Sequence, residues 1–177
     1  MGKGNETLFR GVLLEDPQEN GFERLRSEYF RLFENEGGVK ISLVESCYKP
    51  WTRDPDCLLP FAREKGFLMG DSALHLSALY QYCGLEVPDL FKGMPDHLVL
   101  ELEFLSFLYR HGREREARRF IEDHLDWIPS LVEMCQSVQA HPFYLSLVEL
   151  LRLFLDSEKV RLEKEEHGEK EIDPTEL

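Results

Sequence analysis

The sequence predicts an all-α protein, a single-domain compact bundle of about six or seven helices, on three observations. Apolar residues recur at three- and four-residue spacing in several separate stretches. Glycine, proline and capping residues punctuate those stretches at helix-like lengths. No segment shows the apolar–polar alternation of a half-buried strand, and no internal repeat is present. At 177 residues the chain is long enough to bury a core without metals or disulfides, and twelve phenylalanines exclude a disordered chain even with 31% charged residues. Residues 1–164 are expected to form the helical domain, and the acidic stretch 165–177 a disordered tail that buries too little surface to offset its ordering entropy.

The first clear helix is "FERLRSEYFRLFE", with Leu25, Tyr29, Leu32 and Phe33 on one stripe and "NEGG" as its stop. Pro50, Pro55 and Pro60 then exclude a long helix over residues 39–72, where an ordered loop with short turns is expected. "GDSALHLSALYQYCG" reads as a helix that can cap on Asp71 or Ser72 and closes on Gly84. "MPDHLVLELEFLSFLYRHG" follows, with Pro95 suited to a first turn, Asp96 placed to cap and to favour the positive end of the helix dipole, and Gly112 at the end. "REREARRFIEDHL" is a surface helix with Ala117, Phe120, Ile121 and Leu125 inward and i,i+4 pairs Glu114–Arg118 and Arg119–Asp123 outward. "DWIPSLVEMCQSVQA" can cap on Asp126, and the last helix opens at Pro142 with Phe143, Leu147, Leu150, Leu151 and Phe154 expected inward.

Lysine and arginine number 21 against 34 acidic residues, so the net charge of −13 repels a phosphate backbone and suits a basic partner. Cys47, Cys57, Cys83 and Cys135 are scattered without a C-x-x-C pair, which indicates reduced thiols rather than a disulfide framework or a zinc site. "TLFRGVLLED" is broken by Arg10 and Gly11 and does not read as a secretory signal, and no stretch is long and apolar enough to span a membrane. A soluble, cytoplasmic protein is expected.

Asp96 and His97 form the sharpest constellation, because a carboxylate beside an imidazole can orient and charge it for acid–base work. Without a nucleophile signature nearby, a helix cap followed by a partly exposed histidine is the better reading. Glu101 and Glu103 lie in a mostly apolar helix; carboxylates are rarely buried unpaired, so either one faces a groove or both reach water. Tyr48, Trp51 and Phe61 in the proline-bearing loop suit a peptide-binding surface or anchor the loop to the core. The cluster Arg110, Arg113, Arg115, Arg118 and Arg119 is interleaved with Glu114, Glu116 and Glu122 and reads as a solvated, salt-bridged face. His75, His124, His141 and His167 have no ligand spacing, and no phosphate loop, dinucleotide fingerprint, zinc-protease motif or nucleophile elbow is present. No enzyme, cofactor or metal is predicted.

Taken in order, "MPDHLVLELEFLSFLYRHG", "FIEDHLDWIPSLVEMCQSVQA" and "HPFYLSLVELLRLFL" resemble the TorD/DmsD/NarJ family of molybdoenzyme maturation chaperones. Pro95, Asp96 and His97 stand at the family's P-x-D-H-like element, His124, Leu125 and Trp127 at its H-L-x-x-W stretch, and Phe143 and Tyr144 in its final helix. "SEYFRLFE", "VESCYKPW" and "GFLMGDSALHLSALY" are similar to the family's tyrosine helix, its E-S-x-Y segment and the helix before the motif. Gly93 and Met94 depart from the usual Glu-Pro and remove part of the expected acidic rim, and one helix of relatives is expected to be reduced to "ETLFRGVLLED" or missing.

The resemblance implies a cytoplasmic, non-catalytic chaperone. Its partner would be the N-terminal leader, usually a twin-arginine leader, of an apo molybdopterin oxidoreductase subunit, held until cofactor insertion and before export. Pro95, Asp96, His97, Glu101, Tyr48, Trp51 and Phe61 are the expected leader-binding residues, with a homodimer left open. The rival readings are a helical scaffold for a folded partner, which predicts a broad apolar patch, and a small-molecule enzyme, which predicts a pocket converging on Asp96 and His97.

Overall fold

The computed structural model describes residues 21–34 and 40–170. Among them the chain is all-α, with six α-helices, three short turns of other helical type, and no strand. The described residues fall into two compact units. One comprises those of Met1–Ser42 with Ile128–Leu153, the other Leu43–Trp127 with those of Phe154–Leu177.

In the first unit, α1 (Gly21–Tyr29) passes into a π-helical turn, Phe30–Glu34, that buries Leu32 and Phe33. The Ile41 N–H then donates to the Leu32 carbonyl at 2.8 Å. α5 (Ile128–Ser137) buries Ile128, Leu131, Val132 and Cys135, one stripe at helical spacing. α6 (Pro142–Lys170) opens with Tyr144, whose hydroxyl donates to the Leu25 carbonyl at 2.8 Å and whose ring meets Phe33 edge-on at 5.8 Å. The aromatic helix start read from the sequence is thus tied to α1 by hydrogen bonds to Leu25 and Glu28 and by the ring of Tyr29, and to the π-helical turn by Phe33.

The second unit holds the remaining elements together with the part of α6 from Phe154 onward. A 3-10 turn, Glu45–Cys47, precedes a loop pinned by backbone pairs from Trp51 to Glu64 and from Thr52 to Ala62, each 2.9 Å. α2 (Asp71–Tyr82) follows; its N-cap is Gly70, and no side chain caps it. The Asp71 carboxylate, one candidate cap, instead accepts from the Thr52 hydroxyl at 3.0 Å and the Arg53 N–H at 2.8 Å, so it ties the loop to the helix start. A 3-10 turn, Asp89–Phe91, leads to α3 (Leu98–Arg110), which ends as expected with Gly112 at φ 65°.

α4 (Glu114–His124) packs on α3 with Ala117, Phe120 and Ile121 buried, the stripe read from the sequence. Tyr80, Phe104 and Phe120 join α2, α3 and α4 through edge-on ring contacts of 5.1–5.2 Å. On the outward face Arg118 meets Glu122, also at i,i+4, at 3.0 Å, and Arg161 reaches Glu114 at 3.6 Å.

α6 departs from expectation in two ways. Its inward positions are Val148, Leu155 and Leu162, while Leu147, Leu150 and Phe154 are exposed. The run "FYLSLVELLRLFL" is apolar on more than one stripe, so periodicity alone leaves its rotation undetermined. The helix also continues past Lys164 to Lys170, into the stretch expected to be disordered. The expectations about "ETLFRGVLLED" and about residues 171–177 lie outside the described residues. No helix among the described residues is long and apolar enough to cross a membrane.

Candidate functional site

The proline-aspartate-histidine element lies within the second unit, where the chain enters α3. Its backbone is fixed from both sides: the Glu45 N–H donates to the Asp96 carbonyl at 3.0 Å and the Leu98 N–H to the Leu43 carbonyl at 2.8 Å. Val44 and His97 form an isolated antiparallel bridge. Pro95 and Asp96 are fully buried, and the Tyr80 hydroxyl donates to the Pro95 carbonyl at 3.1 Å. Burial and nearby carboxylates push the Tyr80 phenol well up, so it remains a donor.

The structure corrects the expected helix cap. His97, not Asp96, is the N-cap, and its Nδ1 accepts from the Val99 N–H at 3.2 Å. Asp96 turns inward, where the Ser46 N–H donates to Oδ2 at 2.8 Å and the Ser46 hydroxyl donates to the same oxygen. Two donors on one oxygen offset part of the cost of removing the carboxylate from water. With no exposed surface, the Asp96 side chain fixes the E-S-x-Y segment against the start of α3 rather than presenting charge at a rim.

Behind it lies a second buried polar group. Glu45 is fully buried and accepts from Lys49 Nζ at 2.5 Å and from His124 Nδ1 at 2.9 Å. Lys49 also reaches Asp126 at 2.6 Å and the Asp123 carbonyl at 2.7 Å, while His124 Nε2 lies 2.8 Å from His75 Nδ1. Glu101, on α3, is fully buried and accepts from Trp127 Nε1 at 3.2 Å. Trp127 is itself stacked on Tyr48, ring centroids 4.9 Å apart.

The two glutamates are driven apart electrostatically. Burial and then the Glu45 carboxylate hold Glu101 well above the ordinary carboxyl range, whereas His124 and Lys49 outweigh burial and hold Glu45 below it. Glu101 Oε1 receives no hydrogen bond from a donor. Burial and the Glu45 carboxylate favour its protonated form, which needs no donor there and can itself act as a donor. The arrangement is a carboxyl–carboxylate pair clamped by a lysine, a histidine and a tryptophan. It joins the 45–47 turn, α3 and the α4 C-terminus, and it offers no metal site, since no cluster of at least three metal-ligating side chains exists among the described residues.

Two hollows lie beside this framework. A cavity of about 610 Å3 runs along α3, with Leu85, Val87, Leu100, Leu102, Phe104 and Phe107 as its apolar lining and Glu86, Glu103 and Arg110 as its charged groups. A smaller hollow of about 410 Å3 shares Glu86 and Val87 with it and reaches Ser77, Asp89, Lys92 and Pro95. Of the expected leader-binding residues, Pro95 alone lines these hollows, and Glu103, not Glu101, is the α3 carboxylate that faces one. Neither hollow is lined by Asp96 or His97.

The three loop aromatics do not act together. Tyr48 stacks on Trp127, whereas Trp51 and Phe61 form a separate cluster with Phe67, ring centroids 5.2 and 5.1 Å apart. The same loop and the first turn of α2 expose Leu58, Leu59, Leu68, Met69 and Leu74. Glu45, Ser46, Lys49 and His124 were not among the sequence-derived candidates. The signal available for Glu45 was a carboxylate inside the otherwise weakly polar "SLVESCY".

The family described as nitrate reductase delta subunit matches residues 4–133. A chaperone protein TorD of Vibrio parahaemolyticus is 30% identical over 117 residues, 56% of this chain and 54% of that protein. The chlorate reductase assembly chaperone protein of Ideonella dechloratans is 31% identical over 133 residues, 67% of this chain and 61% of that one. The selenate reductase assembly chaperone protein of Thauera selenatis is 32% identical over 121 residues, 60% and 55%. The chain spans little more than half the length of these curated relatives.

Proposed function

The chain belongs to the nitrate reductase delta subunit family, which takes in the NarJ and TorD chaperones, and from that we propose that it is a cytoplasmic, non-catalytic chaperone for a molybdopterin oxidoreductase. In this reading it binds the N-terminal leader of the apo catalytic subunit, a twin-arginine leader, and holds it while cofactor insertion and assembly proceed before export. The observation that carries the reading is an apolar hollow with acidic groups beside Pro95 in a chain of net charge −13. A leader has a cationic front and an apolar middle; charge raises the encounter rate and excludes wrong partners, and apolar burial supplies most of the affinity. Two relatives are named as assembly chaperones of chlorate and selenate reductase, which supports an oxidoreductase subunit as the partner.

Within this reading the seven expected site residues divide by place. Pro95 lines the smaller hollow, His97 caps the helix that starts next to it, Asp96 and Glu101 hold the frame from inside, and Tyr48 reaches that frame through Trp127. Trp51 and Phe61, both half-buried, belong to the loop cluster with Phe67. That cluster favours one second reading, a scaffold that docks a folded partner on Leu58, Leu59, Leu68, Met69 and Leu74.

A pull-down from the native cytoplasm with the full chain as bait tests both. The leader reading expects a molybdenum enzyme subunit that is retained only while its N-terminal leader is intact. Retention that survives removal of the leader and is lost in Leu58→Ser favours the scaffold. In a folded His97→Ala variant, undiminished affinity for a leader peptide removes His97 from the site.

A further inference from the structure

We propose that the cavity along α3 seats the apolar middle of the leader and that the adjoining hollow beside Pro95 receives its cationic front. This rests on the leader reading above and adds the place, the orientation and the residues.

The lining is divided by chemistry. Along α3 the cavity runs from Leu100 to Arg110, about 15 Å at 1.5 Å per residue. That length accepts about ten helical residues, close to three turns, or four to five extended ones at about 3.3 Å each. Its volume of about 610 Å3 lies within the range of built ligand sites, and the walls carry leucine, valine and phenylalanine on both sides.

The charges lie toward opposite ends of α3. Glu103 lies in its N-terminal half, and Glu86 is shared with the hollow that reaches Pro95, just before the helix. Neither glutamate has an ion-pair partner among the described residues, so both are available to a cation. Asp89 in the same hollow is paired with Lys92 at 2.6 Å. Arg110 is the cavity's only cationic lining residue and lies in the last turn of α3. A peptide with its positive charges in front therefore meets attraction at the Pro95 end and repulsion at the Arg110 end, which sets its direction.

The floor of the cavity is rigid. Phe104 is held between Tyr80 and Phe120, and Leu100 lies one turn from His97, whose backbone bridges to Val44. A preformed apolar wall binds without an ordering cost of its own. The sequence segment "GLEVPDLFKG", which supplies Leu85, Glu86, Val87 and Asp89, therefore acts as one wall of the site and not merely as the connection between α2 and α3.

The test uses the full chain and a synthetic peptide with two adjacent arginines at its front, a leucine- and alanine-rich middle, and a photoreactive benzoylphenylalanine placed in either part. The expected result is cross-linking from the middle to α3 between Leu100 and Phe107, and from the front to the segment between Glu86 and Pro95. Val87→Asp and Leu102→Asp should each weaken binding by about tenfold or more, the scale of an interface hot spot, while Leu58→Ser binds as the parent does. Should either groove variant fail to fold, the cross-links on the unmodified chain decide. Binding with cross-links elsewhere and unaffected groove variants overturns this assignment and leaves the leader reading standing. No binding to the unmodified chain overturns both.

Discussion

Ser46 donates twice to one oxygen of Asp96, from its N–H at 2.8 Å and from its hydroxyl. Fifty residues apart in sequence, the two join the E-S-x-Y segment to the start of α3 inside the protein. Asp96→Ala strands both donors, at about 1 to 3 kcal/mol for each buried group left unsatisfied, and the loss arises from this contact and not from a helix cap. Asp96→Asn keeps an acceptor and should lose less. Urea unfolding of both variants measures the order; equal midpoints for Asp96→Ala and the parent would show that the contact contributes nothing.

Glu101 gives a pH-dependent prediction with a definite sign. Its folded value is raised above the ordinary 4.5, so unfolding releases a proton. Its contribution is fully present below about pH 4.5 and is lost as pH rises through the folded value, at up to about 1.4 kcal/mol per pH unit where one proton separates the states. Glu101→Gln removes that slope, since an amide can donate to Glu45 and accept from Trp127 without ionising. The difference in Tm, variant minus parent, should therefore grow from pH 5 to pH 8. A constant difference would place the proton elsewhere.

His97 caps α3 through an unprotonated Nδ1. Burial, opposed only by Asp96, holds its folded value below the ordinary 6.5, so this contribution is present above that value and is lost as pH falls through the folded one. His97→Ala should cost about 1 kcal/mol, and His97→Asn, a better cap, should restore it. Thermal melts at pH 7.5 check this. An asparagine variant no more stable than the alanine one would mean that the hydrogen bond is not what stabilises the helix start.

Gly70 has no room for a methyl group: a Cβ would lie 2.6 Å from the Trp51 carbonyl oxygen, a backbone atom that cannot swing aside. Gly70→Ala should cost about 1 to 3 kcal/mol, the usual range for overpacking. It should also loosen the Trp51 loop before the rest of the unit, read as faster amide exchange at Thr52 and Asp71. Uniform exchange across the unit would contradict this.

Much of the fold was legible because amphipathic helices advertise themselves. Ala117, Phe120, Ile121 and Leu125 are the buried stripe that their spacing predicts, and Gly84 and Gly112 adopt positive φ where the helices end. Periodicity failed on α6, where every rotation presents leucine or phenylalanine to the interior and only the partner surface chooses Val148, Leu155 and Leu162. Capping failed at Asp96 and Asp71 for a shared reason. Both have the right chemistry beside a helix start, but each carboxylate is claimed by donors in the 43–53 region, and such long-range competition leaves no local trace. The Glu45–Glu101 pair was invisible because two glutamates fifty-six residues apart carry no mark of sharing an interior.

Of the two tryptophans, Trp127 is buried against Tyr48 with its indole N–H on Glu101, while Trp51 is half-buried in the loop cluster. Trp51→Phe therefore leaves a single emitter beside the carboxyl pair. Its fluorescence makes the protein its own optical gauge: proton loss from Glu101 would register as a change in quantum yield, and a peptide that settles on α3 would register through the same lamp without any attached dye.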